Sequence, residues 1–271
     1  GVALPAAGEA AAHAAWERFR DERLAGYADG RDLPGTDGTS RLSVHLKYGT
    51  IHPRTLLSDL GALEQTDDVR RFTDELAWRE FYADVLWHRP ETARDYLNPQ
   101  LQGLGYDGGP HAEELVEAWR RGRTGYPIVD AGMRQLLGEA WVHNRVRMIV
   151  ASFLVKDLHQ EWTVGARWFL RHLVDGDLAS NNHGWQWVAG TGTDASPYYR
   201  VFNPVTQGKK FDPDGSYVKR WVPELRDLDP RHVHEPWTAP GGIPDGYPQP
   251  IVDHAHERQV SLDRYQRLRE G

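Results

Sequence analysis

The chain has no cysteine among its 271 residues and only two methionines. Without thiols there is no disulfide, no thiolate metal site and no cysteine nucleophile, which suits a reducing compartment, and a cytoplasmic protein is expected. No run of about 18 apolar residues occurs, so no membrane-spanning helix is expected, and the Ala-rich start lacks the basic and apolar regions of a secretory leader. Period-2 alternation over four or more residues, internal repeats and heptads are all missing, leaving strands, solenoids and coiled coils without a signature. A basic coat is missing too: the net charge is −7, which argues against nucleic-acid binding over the whole surface. Among the thirteen histidines the closest-spaced pairs are His232/His234 and His254/His256, and neither carries an HExxH-type carboxylate pattern, so no metal centre is expected.

What is abundant is tryptophan, eleven in all, well above ordinary usage. The densest stretch is Asp175 to Arg200, DGDLASNNHGWQWVAGTGTDASPYYR, which sets two indoles, two asparagines and carboxylates among small residues. Such a set can hold a flat heteroaromatic molecule by stacking and hydrogen bonding, although each residue taken alone reads as loop or helix packing. Arg145, Arg147, Lys156, Arg200, Lys209, Lys210, Lys219 and Arg220 lie in the same half of the chain and allow a local phosphate-binding face.

The pattern predicts an all-α protein folded as one domain over 1–271. Helices are expected over 8–29, 52–63, 67–87, 90–97, 111–121, 128–139, 141–159, 163–173 and 256–269, with a short one capped by Thr39 and Ser40 and closed by Gly49. The hydroxyls of that cap beside Arg41 suggest a phosphate cradle. Glu75, Trp78, Arg79 and Tyr82 share one side of the helix over 67–87, with Glu75 and Arg79 as an i,i+4 pair. Trp141, Asn144, Arg145 and Met148 share a face of the helix over 141–159. A Trp-lined acidic protein could also bind or cleave carbohydrate, with Glu75 and Asp175 or Asp177 as paired acids, and a helical DNA-binding module without catalysis is a third reading.

Taken in order, TSRLS (39–43), ELAWREFY (75–82), GRTGYPIVDAGMRQL (122–136), WVHNRVRMIVASFLVKDL (141–158), DGDLASNNHGWQW (175–187), TGTDASPYYRVFNP (191–204) and GKKFDPDGSYVKRWVPEL (208–225) resemble the photolyase/cryptochrome family, and within it the class I cyclobutane pyrimidine dimer photolyases. The resemblance covers only that family's helical FAD-binding domain. The family's N-terminal α/β domain has no counterpart here, so the chain is expected to be one part of a longer protein, with its antenna chromophore unassigned. The resemblance implies light-driven repair of pyrimidine dimers in DNA by electron transfer from reduced FAD, by a monomer, with no membrane partner. It implies FAD contacts at Tyr27, Thr39, Ser40, Arg41, Leu42, Ser43, Arg79, Trp141, Arg147, Asp175, Asp177 and Asn181, the last facing flavin N5. Glu75, Asn144 and Met148 would touch the flipped dimer, Trp78 and Trp187 would flank it, and Arg145, Arg200 and Gln207 would meet DNA. Glu75, Asn144 and Arg147 match positions that also line the flavin or adenine. Trp185 and Trp162 match the first two members of an electron relay. The family's distal tryptophan would fall in QGLGYDGGP, which has none, and Tyr106 is the nearest aromatic. A (6-4) photolyase would carry a histidine pair where Asn144 and Met148 stand, and several cryptochromes lack one or both mouth tryptophans, so dimer repair is favoured over blue-light signalling.

Overall fold

Proline and short polar caps decide where most helices begin. In the computed structural model, which describes residues 2–193 and 199–270, the described residues form α1 Glu9–Glu22, α2 Tyr27–Gly30, α3 Ser43–Tyr48, α4 Pro53–Gly61, α5 Asp67–His88, α6 Pro110–Arg120, α7 Pro127–Glu139, α8 Asn144–Ser152, α9 Trp162–His172, α10 Leu178–Ala189, α11 Pro204–Phe211, α12 Ser216–Trp221 and α13 His254–Glu270. Short 3-10 turns at Pro90–Ala93, Pro99–Leu104, Pro223–Leu225 and Pro236–Thr238 fill the connections, and no strand occurs among the described residues. The protein is all-α. Pro53, Pro110, Pro127 and Pro204 stand in the first turn, where a missing N–H costs nothing. Thr66 Oγ1 accepts from Val69 N at 3.3 Å to open α5, and Asp177 Oδ1 accepts from Ser180 N at 2.8 Å to open α10. Gly49 (φ 68°) and Gly190 (φ 81°) close α3 and α10 in the left-handed region that glycine enters freely.

Several expectations fail here: the helix expected over 8–29 stops at Glu22, and that over 90–97 is only a 3-10 turn at Pro90–Ala93. Thr39 and Ser40 do not cap α3: its N-cap is Leu42, without a side-chain cap, and Ser40 Oγ instead accepts from Leu42 N at 3.3 Å. The expected helix over 141–159 is broken. Ala140 turns at φ 53°, the helix starts only at Asn144 with His143 Nδ1 accepting from Arg145 N at 3.2 Å, and after Ser152 it widens into a π turn over Phe153–Asp157. Over the π turn the buried Lys156 and Asp157 find partners far along the chain, Lys156 Nζ donating to Arg200 O and Asp157 pairing with the buried His254 of α13. Trp141 therefore lies outside the helix that carries Asn144, Arg145 and Met148.

Apolar side chains gather into two cores. The smaller holds Trp16, Phe19, Tyr27, Leu42, Phe72 and Leu76 from α1 to α5. The larger runs through α6 to α10 and α12, with Trp119, Phe153, Trp162, Phe169, Trp185 and Tyr217 among its members. Helices α5 and α10 pack on each other, as do α8 and α10, and α9 and α10. The motif GRTGYPIVD serves this core rather than chemistry: buried Asp130 accepts from Thr124 N and Thr124 Oγ1, both at 2.7 Å, from Gly125 N at 3.0 Å and from Tyr247 OH at 2.7 Å. No helix of the described residues is long and apolar enough to cross a membrane.

Candidate functional site

Two adjoining cavities open between the cores. One, of about 230 Å³, takes Tyr27, Phe72 and Leu76 from the smaller core together with Ser40, Ser43, Lys47, Glu75 and Arg79. The other, of about 150 Å³, takes Phe169, Trp185 and Val188 from the larger core together with Asn144, Met148 and Asn181. Arg147, Asp175, Asp177 and Ser180 line both, so the two form one cleft with a charged waist.

At that waist Arg147 Nη2 reaches both oxygens of Asp175, at 3.0 and 2.8 Å, and its Nε donates to Val142 O at 2.7 Å. The Asp175 side chain is 2% exposed, and this guanidinium is its partner there. Lys47 Nζ crosses from α3 to Gly176 O and ties the two walls together. Asn181 Nδ2 donates to Ala166 O at 3.1 Å and to Asn182 Oδ1 at 2.8 Å. A backbone carbonyl can only accept, so the amide's orientation follows, and its own oxygen is what remains to offer a ligand. Burial first, then the charge of Glu75, push the Tyr27 phenol above its ordinary range and keep it neutral. Burial holds His143, which caps α8 beneath the cleft wall, down to about 4.

The remaining expected residues divide. Glu75 lines the cleft, yet its partner is Arg31, at 2.6 Å, and not Arg79; Arg79 pairs with Glu80 and donates to Leu46 O at 3.3 Å. Leu42 is core, 1% exposed, and has only its backbone to offer. Thr39, Arg41 and Trp141 line a separate cavity of about 670 Å³ beside Ser40, where the Arg41 guanidinium lies 4.2 Å from the Trp141 ring and pairs with Glu139 at 3.2 Å. The cradle of hydroxyls is thus split, with Ser40 facing both spaces. Arg145 pairs with Asp32 at 2.8 Å, lies over Phe211 at 4.4 Å and approaches Met148 Sδ at 3.7 Å. Trp78 is 48% exposed and rests on Phe81 and Tyr82, whose ring stacks on His183 of α10 at 5.7 Å.

Trp187 lines a third cavity, of about 380 Å³, with Ser152, Lys156, Tyr199 and Arg200, and the Arg200 guanidinium stands 5.8 Å from its ring. No ring contact joins Trp78 to Trp187 among the described residues. Gln207 sits partly buried on α11. Residues 194–198 of the motif TGTDASPYYR lie outside the described residues. Trp185 meets Phe169 edge-on at 5.2 Å and Trp119 at 6.2 Å, Trp162 is fully buried on α9, and Tyr106 is partly buried. Lys47, Ser180 and Arg31 are site neighbours that sequence reasoning did not single out. Ser180 lay within the motif already quoted, whereas Lys47 and Arg31 become visible only through contacts across the fold. No group of three or more His, Asp or Glu side chains among the described residues is placed to hold a metal ion.

The donor set suits a flavin nucleotide. Phe169, Trp185 and Val188 supply apolar walls, and a Cβ on Gly184 would meet nothing within 4 Å, so α10 leaves room beside them. Asn181 offers an acceptor to a ring N–H, Arg147 a cation to ring carbonyls, and Lys47, Arg79, Ser40 and Ser43 donors to phosphates and hydroxyls.

A family model described as the FAD binding domain of DNA photolyase matches residues 72–267. The deoxyribodipyrimidine photo-lyase of Halobacterium salinarum is 45% identical over 282 residues, covering 99% of this chain and 58% of that protein. A class III photolyase structure from Agrobacterium tumefaciens superposes with a TM-score of 0.92 at 44% identity, over 97% of this chain and 56% of that one. A cryptochrome from Synechocystis sp. PCC6803 superposes with a TM-score of 0.89 at 29% identity, over 97% and 58%. The chain thus spans a little over half the length of these relatives.

Proposed function

We propose that this chain, which belongs to the family of FAD-binding domains of DNA photolyase, holds FAD in the cleft between its two cores and repairs cyclobutane pyrimidine dimers in DNA under light. The observation that carries this reading is the cleft itself, in which Arg147, Asp175 and the Asn181 oxygen converge from α8, the α9–α10 turn and α10. When bound, FAD supplies absorption of light and, in its reduced form, a one-electron donor. The protein does the rest by position.

Arg147 and Asp175 present a fixed dipole, and the Asn181 oxygen is left to accept a ring N–H of bound FAD, which would favour the protonated, reduced ring. A base locked in a duplex cannot reach a buried cofactor, and enzymes that act on bases, photolyases among them, draw the target out of the stack. Glu75, Asn144 and Met148 stand at the cleft to receive base edges of a flipped dimer, and the exposed Trp78 and partly exposed Trp187 supply rings for it to stack on. Arg145, Arg200 and Gln207 are assigned to DNA around the lesion. Trp185, Trp162 and Tyr106 are assigned to electron supply. The class I assignment rests on the quoted motifs, and Asn144 and Met148 in place of a histidine pair weigh against a (6-4) photolyase. We further assign a single helical domain over 1–271, a monomer, and, from the absence of cysteine, a cytoplasmic setting.

The cryptochrome likeness makes blue-light signalling the second reading. One experiment separates them: flavin-loaded protein is mixed with a dimer-containing oligonucleotide in blue light and in the dark. Dimer repair is expected in light alone. Flavin photochemistry without repair points to signalling, and a colourless protein that binds oligosaccharide overturns both.

A further inference from the structure

A line of oxidisable rings leaves the cleft on its inner side. Trp185 lines the cleft, and its indole packs so closely on Gly165 of α9 that a Cβ there would come within 2.1 Å of it. Trp162 stands one turn earlier on α9, on the same side as Gly165, and is fully buried. Its ring meets Tyr96 edge-on, at 6.1 Å and 80°. The Tyr96 hydroxyl lies 2.9 Å from the Tyr106 hydroxyl and 3.2 Å from Glu161 Oε1. The other Glu161 oxygen accepts from Thr163 Oγ1 at 2.8 Å, which fixes the carboxylate in place. Tyr96 is 5% exposed, and Tyr106, beyond it, reaches the surface.

Protons decide which ring along this line can keep an electron hole. The buried Trp162 Nε1 has no hydrogen-bond partner among the described residues, so an oxidised indole there has nowhere to send its proton. A phenol gives up an electron readily at neutral pH only when its proton leaves as well, because the neutral form is the stable one below about pH 10. Tyr96 has an acceptor at hand, since an ionised carboxylate can only accept.

The geometry points to Tyr96, with Tyr106 as its surface-facing partner and Glu161 as its proton acceptor, as the terminus of the Trp185–Trp162 line. The assignment rests on the flavin reading of the cleft. After excitation of the oxidised flavin, one electron leaves Tyr96 and passes through Trp162 and Trp185 to it. The phenolic proton moves to Glu161, leaving a neutral tyrosyl radical and a carboxylic acid. Tyr106 passes a hydrogen atom inward to Tyr96 and carries the radical outward. There an external one-electron reductant, such as a small thiolate, restores Tyr106, while the Glu161 proton returns through Tyr96. Sequence reasoning stopped at Tyr106 because Tyr96 lies ten residues away across a Gly- and Pro-rich connection.

The same hydrogen bonds could merely pin the 90–106 connection to α9. That role would respond to loss of the bonds but not to deuterium. The test is laser-flash spectroscopy and freeze-trapped electron paramagnetic resonance on flavin-loaded wild type, Tyr96→Phe, Glu161→Gln and Trp185→Phe, in H₂O and D₂O. Wild type is expected to give a neutral tyrosyl radical whose formation slows in D₂O. Tyr96→Phe, which keeps the buried volume, is expected to remove that radical and to shorten the charge-separated state by about tenfold or more. Glu161→Gln keeps every ring and is expected to lose the tyrosyl signal while retaining a tryptophan one. If Tyr96→Phe matches wild type while Trp185→Phe abolishes the transient, the tyrosine terminus is wrong and the flavin reading stands. If Trp185→Phe also leaves the transient intact, the inner line itself is wrong.

Discussion

Trp185 and Trp187 stand two residues apart on α10, and the helix turns them to nearly opposite sides. Trp185 is 4% exposed, wedged against Gly165, Phe169 and Trp119 on the inner side. Trp187 is partly exposed, beside a cavity with Lys156 and Arg200. The inner ring is held by packing from three directions, as an electron-transfer group must be if its distance to the cofactor is to stay constant. The outer ring stays partly exposed, with the Arg200 guanidinium 5.8 Å from its centre, as suits a stacking platform. On the proposed reading, one helix divides the work between cofactor and lesion, and variants on the two sides should fail in different ways.

The largest effect is expected on the inner side, at the waist of the cleft. Asp175→Ala leaves Arg147 without its buried partner and should cost about 3 kcal/mol of stability, since removing one member of a buried pair strands the other charge. Purified protein should also lose its flavin, read from visible absorbance beside a denaturation curve. An Asp175→Ala protein that keeps flavin at wild-type stoichiometry breaks the inner half of the comparison.

Acid should act on the same wall. His143 is neutral in the fold, held down to about 4 from its ordinary 6.5, and its Nδ1 caps the helix that carries Asn144 and Arg147. A depressed pKa means the stabilisation is present above 6.5 and is lost as pH falls through about 4, up to roughly 3 kcal/mol in all. Melting curves between pH 7 and 4 should show this loss, and His143→Asn, which keeps a cap acceptor without titrating, should flatten it. An unchanged slope in that variant places the acid sensitivity elsewhere.

A smaller inner effect is expected at Gly165. Gly165→Ala sets a Cβ against the Trp185 ring and Leu154, and should cost about 1–3 kcal/mol by overpacking. Flavin photoreduction should change together with stability, because the ring that moves is the one assigned to electron supply. On the outer side, Trp187→Ala should leave stability nearly unchanged and lose about 1–3 kcal/mol of affinity for dimer-containing DNA, measured by titration.

Much of this division could be read from sequence. Gly49 as a stop, Pro53 as a start, and the all-α class follow from local rules that the fold does not override; α10, capped by Asp177 and ended by Gly190, obeys the same rules but was not among the expected helices. The family motifs also brought Asp175, Asn181 and Trp185 to one cleft with Glu75 and Ser43. What failed was non-local. Glu75 prefers Arg31 to Arg79 because a neighbouring helix brings that guanidinium closer than the i+4 residue on its own helix. The helix over 141–159 starts late, after the left-handed Ala140, and widens at its end where Lys156 and Asp157 find partners at Arg200 and His254, far along the chain. Periodicity reports the face a helix turns to the core, and it is silent about which distant chain arrives there.

The division of labour on α10 is tested most directly by single-turnover repair of a dimer-containing oligonucleotide, with chemically prereduced flavin and subsaturating DNA, comparing Trp185→Phe with Trp187→Ala. The prereduced cofactor needs no electron supply, so Trp185→Phe should repair at the wild-type rate per bound flavin while Trp187→Ala falls by about tenfold or more. Equal repair by both variants, or the greater loss in Trp185→Phe, would contradict the assignment of the inner ring to electron supply and the outer ring to the lesion.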